Sequence, residues 1–211
     1  MPKQRLPGEE RRGSILDAAI DVFSRGGFRG ATTAALAQAA GITEALLYRH
    51  FRSKKALFLG ALAHVLDRVE REVAARLDAH DDPVAGLESL FGYFHEQLRE
   101  DPQFGHLIYL VASELRDPEV RRAYVRAQDR ILSRLEAAIA RWASQGQLRA
   151  GVDPRAAAWL ILGAHQTLTL MEQCGRLDEM RPEHVRGFVS AFLAEEPKKE
   201  RSARSGAQHH G

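Results

Sequence analysis

Residues 41–57 read GITEALLYRHFRSKKAL. A glycine and a threonine open the stretch, and Leu46, Leu47, Phe51 and Leu57 supply large apolar side chains. Tyr48 and His50 stand among Arg49, Arg52, Lys54 and Lys55. Gly41 can take the left-handed conformation that a side chain resists. Thr43 is placed to cap a short helix that runs to about His50. The stretch therefore reads as a tight turn, a short helix and the basic start of another.

Upstream, Ile15, Leu16, Ala19, Ile20 and Phe23 share one face of a helix over about Glu10–Arg25, which Gly26-Gly27 is expected to stop. Thr32 and Thr33 are N-cap candidates for a second short helix, Ala34–Ala40. Two short helices across a glycine turn form a helix-turn-helix candidate. Ala37 is small where helices must cross closely, and Leu47 is apolar and can pack back onto the first helix. The outer face of 43–50 is then free to enter a major groove. Hydroxyl, imidazole and ammonium groups on Tyr48, His50 and Lys54 can donate to phosphate oxygens, as can Thr33 and Thr43 at their helix starts. The same periodicity also admits a half-buried Tyr48 beside ordinary solvated charges.

Downstream the periodicity stays helical. Ser53 caps a long helix, Lys54 to about Asp78, lined by Phe58, Ala61, Leu62, Val65 and Val69. Asp-Pro pairs at 82–83, 101–102, 117–118 and 153–154 mark four more starts, since Asp accepts free N–H groups and Pro presets the first helical residue. A last helix, Pro182–Ala194, carries Val185, Phe188, Val189, Phe192 and Leu193 at helical spacing. The expected fold is all-α, about nine helices. Its segments are an arm (1–9), a three-helix DNA-binding unit (10–56), a larger effector-binding and dimerisation unit (57–194) and a disordered tail (195–211).

Composition is that of a soluble globular chain, 45% hydrophobic and 27% charged. The net charge of +2 conceals an asymmetry: residues 1–58 carry +5 and residues 59–194 carry −4. A basic first piece on a mildly acidic body suits a polyanionic partner for the first piece. The single cysteine, Cys174, offers neither an intrachain disulfide nor a zinc cluster and fits a reducing cytoplasm. The charged opening, MPKQRLPGEERRG, has no apolar run of a secretory signal, and no segment reaches a membrane span. Nucleophile elbow, Walker loop, dinucleotide fingerprint and zinc-binding histidine spacing are all missing. An enzyme, a cofactor and a metal are therefore not expected.

The run ILDAAIDVFSRGGFRGATTAALAQAAGITEALLYRHFRSKKALF (15–58) resembles the DNA-binding domain of TetR-family transcriptional regulators. The frame G-[IV]-[ST]-x-x-x-L-Y-x-[HY]-F-x-[SN]-K-x-x-L is met from Gly41 to Leu57. The resemblance implies an all-α homodimer with a variable C-terminal domain that binds a small effector and forms the dimer interface. It implies phosphate contacts at Thr33, Thr43, Tyr48, His50 and Lys54, and base-edge contacts at Glu44, Ala45 and Leu46. It also implies double-stranded operator DNA as partner, repression as the commoner mode, and a cytoplasmic, nucleoid-associated protein. Many members have Gly-Thr where this chain has Ala45-Leu46. Leu46 can touch a thymine methyl, whereas Glu44 can accept from a cytosine amine or favour its own helix N-terminus.

Within the body, the aromatic and histidine side chains read as a plain core or as an effector cavity with a few polar groups. The cavity candidates are Phe94, His95, Phe104, Ile108, Trp142, His165 and Gln166, with Glu172 a cation contact if buried. Small and apolar residues over 156–171 and the last helix's stripe read either as intrachain core or as a four-helix dimer interface. The resemblance favours the interface, at Leu160, Gly163, Ala164, Thr167, Phe188 and Phe192.

Overall fold

A computed structural model describes residues 8–192. Those residues form nine α-helices: α1 (Gly8–Gly30), α2 (Thr33–Ala39), α3 (Glu44–His50), α4 (Lys54–Asp78), α5 (Pro83–Glu100), α6 (Pro102–Glu114), α7 (Pro118–Ser144), α8 (Pro154–Gln173) and α9 (Pro182–Phe192). A single 3-10 turn, Leu177–Glu179, separates α8 from α9. The fold is all-α as expected. Most of the expected arm and the whole expected tail, 195–211, lie outside the described residues, as does the side chain of Phe192.

The helix starts follow the caps. The Thr32 hydroxyl accepts from the Ala35 N–H at 3.1 Å, Thr43 from Leu46 at 3.2 Å and Ser53 from Ala56 at 3.0 Å. Asp82, Asp117 and Asp153 accept from N–H groups in the first turns of α5, α7 and α8. Asp101 departs from the expected pattern and makes no side-chain cap bond. It also terminates α5, where its own N–H donates to Gln97 O at 2.8 Å. One residue serving two helices is held at φ −137°, ψ 77°, away from the extended cap geometry of the other three aspartates.

Gly27 (φ 68°, ψ 171°) breaks α1, but one further turn follows before Gly30, so the helix ends later than expected. Gly41, at φ 63°, makes the turn between α2 and α3. There the Ile42 N–H reaches back to Ala37 O at 3.0 Å and the Gly41 N–H to Gln38 O at 3.0 Å. These bonds satisfy carbonyls left open at the end of α2. Ala37 and Leu47 are buried, and Phe23 meets Phe58 edge-on at 5.1 Å between centroids.

α4 is the member shared by both halves. At 25 residues it is about 37 Å long. It packs on α1 at its start and on α5 and α7 beyond. The buried apolar side chains form one continuous cluster from Ile15 to Val189. α6 leans on α1: the Ser24 hydroxyl donates to Gln103 Oε1, and Leu110 lies against Gly27.

Candidate nucleic-acid interface and effector cavity

The turn at Gly41 sets α3 across α2 and leaves its outer face uncovered. Thr43, Glu44, Ala45 and Tyr48 are exposed, and Leu46 and His50 are half-buried. Tyr48 keeps 48% of its surface although Leu47, next to it, keeps 2%. About half of the Tyr48 side chain is covered and half is accessible to another surface.

Two side chains are committed in ways that residue spacing does not show. The Thr33 hydroxyl donates to Glu44 Oε2 at 2.7 Å, which ties the first turn of α2 to that of α3. Glu44 stands in the first turn of its helix, where a carboxylate is favoured by the helix dipole. The Lys54 ammonium donates to Ala31 O at 2.8 Å and lies 4.8 Å from the Phe28 ring centroid. An ammonium has three N–H donors, so this bond leaves capacity for a phosphate oxygen.

The next residue carries the connection to the body. Lys55 Nζ lies 2.6 Å from Asp117 Oδ2 and 3.0 Å from Glu119 Oε2, both at the start of α7. Lys55 is raised above the ordinary lysine range by its bonds to Asp117 and Glu119, and Asp117 is lowered by its bond to Lys55. Adjacent lysines thus hold the first turn of α4 from two sides.

Deeper in the body, α4, α5, α7 and α8 enclose a small cavity. Val69, Val73, Leu90, Phe91, Ile131, Leu135, Ile161 and Leu162 line it, together with Phe94 and His165. The His165 ring meets Phe94 at 4.2 Å between centroids, and burial pushes its pKa down to about 4. It is a neutral imidazole at neutral pH.

The other expected cavity residues lie elsewhere. His95 is buried with Nε2 lacking a hydrogen-bond partner, and Trp142 is buried with its ring against Gly86. Phe104 lies 5.0 Å under the Arg68 guanidinium, Ile108 is partly buried on α6, and the Gln166 carbonyl accepts from Tyr109 Oη at 2.9 Å. Glu172 pairs with His106 at 3.0 Å. Sequence reasoning missed the polar group on α4 and α5 in which Arg68 and Tyr93 both donate to Gln97 Oε1. A buried glutamine on an otherwise apolar face was the available signal.

On the outer side, α8 presents Ala156, Leu160, Thr167 and Leu170 to solvent, with half-exposed Gly163 between them. Trp159 is 50% exposed and Leu160 64%. A Cβ added at Gly163 would meet nothing within 4 Å. Phe188 of α9 keeps 44% exposure, whereas Ala164 packs against the chain's own core.

Two family matches bear on the chain. Residues 15–61 match the family described as bacterial regulatory proteins, tetR family. Residues 90–195 match that described as AefR-like transcriptional repressor, C-terminal domain. The chain belongs to the TetR family of transcriptional regulators. It is 30% identical over 148 residues to the nucleoid occlusion factor SlmA of Marinobacter nauticus, covering 70% of this chain and 74% of SlmA. It is 34% identical over 105 residues to the transcriptional activator FasR of Mycolicibacterium smegmatis. That match spans 50% of this chain and about half of FasR, 48%. Among solved structures, a TetR regulator from Chloroflexus aurantiacus superposes with a TM-score of 0.75 at 22% identity, covering 89% of this chain and 98% of the other. As a TetR-family regulator, the chain has a DNA-binding role. Among the described residues, no helix is long and apolar enough to cross a membrane.

Proposed function

We propose that this TetR-family chain is a homodimeric repressor released from its operator by a small, largely apolar molecule. The observation that carries the release mechanism is the pair of ties at the start of α4, Lys54 to Ala31 and Lys55 to Asp117 and Glu119. The same helix supplies Val69 and Val73 to the cavity wall. A ligand that widens the cavity displaces α4, and the displacement reaches α3 through its first turn. The ligand acts only through differential affinity for the two arrangements.

The effector class follows from the lining. Apart from His165, every wall residue is apolar, and a neutral imidazole offers one donor and one acceptor. An uncharged or long-chain apolar molecule with a single polar group matches the chemistry of this wall once the cavity, about 10 Å³ here, opens to admit it, and a bare cation does not.

Thr33, Thr43, Tyr48, His50 and Lys54 are assigned to phosphates, and Glu44, Ala45 and Leu46 to base edges. Dimerisation is assigned to Leu160, Gly163, Thr167 and Phe188, joined by Trp159 and Leu170. Such a dimer holds its recognition helices about one DNA turn apart, roughly 34–36 Å. The repressor reading is supported by the description of the C-terminal match; activation, named for FasR, is the second reading.

Selection from random duplex DNA at stated salt tests the proposal. A retained palindrome with half-sites one turn apart supports a dimeric regulator. Placing that palindrome over or upstream of a reporter promoter separates repression from activation. A folded chain that retains no preferred sequence sinks the reading.

A further inference from the structure

A second concavity lies where α1, α6 and α7 meet. This open groove of about 780 Å³ is lined by Arg29, Ser113, Glu114, Arg116, Asp117 and Arg121 among others. Arg29 comes from the DNA-binding half, and Arg116 and Arg121 come from the body.

Elsewhere in the body, arginines are commonly matched by carboxylates: Arg130 by Asp67 and Glu70, Arg155 by Glu136, Arg186 by Glu88. Here the carboxylates at the start of α7, Asp117 and Glu119, are taken by Lys55. Among the described residues, Arg29, Arg116 and Arg121 have no ion-pair partner, and Glu114 is the groove's one carboxylate outside the Lys55 pair. Lys55 balances only one of its two carboxylates, so three guanidinium groups stand against Glu114 and one further carboxylate charge, and the groove keeps a net positive charge of one.

Helix ends explain part of the pattern. Arg29 is in the last turn of α1 and Arg116 follows α6, where the helix dipole favours a cation. Arg121 stands near the opposite end of its own helix, where that preference is absent. A guanidinium presents its N–H groups as a planar fork that matches carboxylate and phosphate oxygens.

We infer that this groove binds a small polyanion carrying two or more carboxylate or phosphate groups. The site is separate from the apolar cavity. Because its walls belong to both halves, a bound anion bridges Arg29 to Arg116 and Arg121. Anion and operator then alter each other's affinity by the same factor.

Calorimetric titration of the full chain with pyrophosphate and with citrate, at fixed ionic strength, tests this. The expected result is saturable binding to one site per chain that persists in Arg155→Ala. In Arg116→Ala/Arg121→Ala and in Arg29→Ala it should weaken at least tenfold. These side chains are exposed, and unchanged circular dichroism and melting temperature confirm that the variants are folded. Absence of saturable binding to the wild type overturns the inference, and so does equal binding by wild type and groove variants. A third result also overturns it: no saturable anion binding, with weaker operator affinity and a shallower salt slope in the groove variants. That would make the patch a contact to flanking DNA.

Discussion

The Lys55 ammonium lies 2.6 Å from the Asp117 carboxylate, 62 residues away, and joins the first turn of α4 to the first turn of α7. The pair is partly exposed, so its role is in coupling more than in global stability. Lys55→Met should leave the melting temperature nearly unchanged but weaken operator binding several-fold, with faster amide exchange over residues 33–50. Identical affinity and exchange in wild type and variant would remove Lys55 from the mechanism. The pH sense follows from the two shifts. Asp117 is lowered, so its contribution is present above the ordinary carboxylate range and is lost as pH falls through the lowered value. Lys55 is raised, so its contribution is present below the ordinary lysine range and is lost as pH rises through the raised value.

Tyr48 and Lys54 should separate in their effects. Tyr48→Phe removes an exposed hydroxyl and should reduce affinity for all DNA sequences alike, without a change in stability. Lys54→Met also removes the bond to Ala31 O and the contact with Phe28. It should therefore weaken DNA binding and cost roughly 1 kcal/mol of stability. Filter binding beside urea denaturation distinguishes the two.

Glycines within helices differ by what surrounds them. A Cβ at Gly105 would come within 2.6 Å of Leu98 Cδ2 and 2.8 Å of Thr169 Cγ2. Gly105→Ala should destabilise by about 1–3 kcal/mol through overpacking, measured by denaturation. Gly163→Ala meets open space and should instead stabilise the isolated chain by up to about 1 kcal/mol, as an exposed helical glycine does.

Leu160, 64% exposed, belongs to the assigned dimer face. Leu160→Glu should shift sedimentation toward the monomer and abolish cooperative binding to a palindrome, while helix content stays unchanged. A dimer of undiminished strength would move the interface elsewhere.

His165 is held at about 4 by burial, against an ordinary value near 6.5. Between those values the unfolded chain binds the proton and the folded chain does not. Stability contributed by the neutral ring is therefore complete above pH 6.5 and declines as pH falls toward 4, by no more than about 3 kcal/mol. His165→Leu should flatten the stability profile in that window, as read from urea midpoints between pH 4 and 7.

What the sequence disclosed was local. Thr32, Thr43, Ser53 and three of the four Asp-Pro aspartates act as caps because a cap needs only its neighbours three residues on. Gly41 was legible for the same reason. Asp101 was not, because its geometry is set by the end of the preceding helix as well as by the start of its own. The two ties of α4 join residues 23 and 62 positions apart, and spacing carries no sign of them. The cavity shows the same limit. Periodicity identified Phe94 and His165 as inward-facing, but which inward faces meet is decided by helix crossing. That decision left Trp142 against Gly86 and Phe104 beneath Arg68.

The chain's two tryptophans occupy opposite surroundings: Trp142 is 1% exposed beside Gly86, and Trp159 is 50% exposed on the outer face of α8. Their emission should therefore separate by wavelength without any added label. The blue component would follow the bundle interior as it unfolds, and the quenchable red component would follow association of two copies. One cuvette could thus tell dissociation from denaturation in every experiment above.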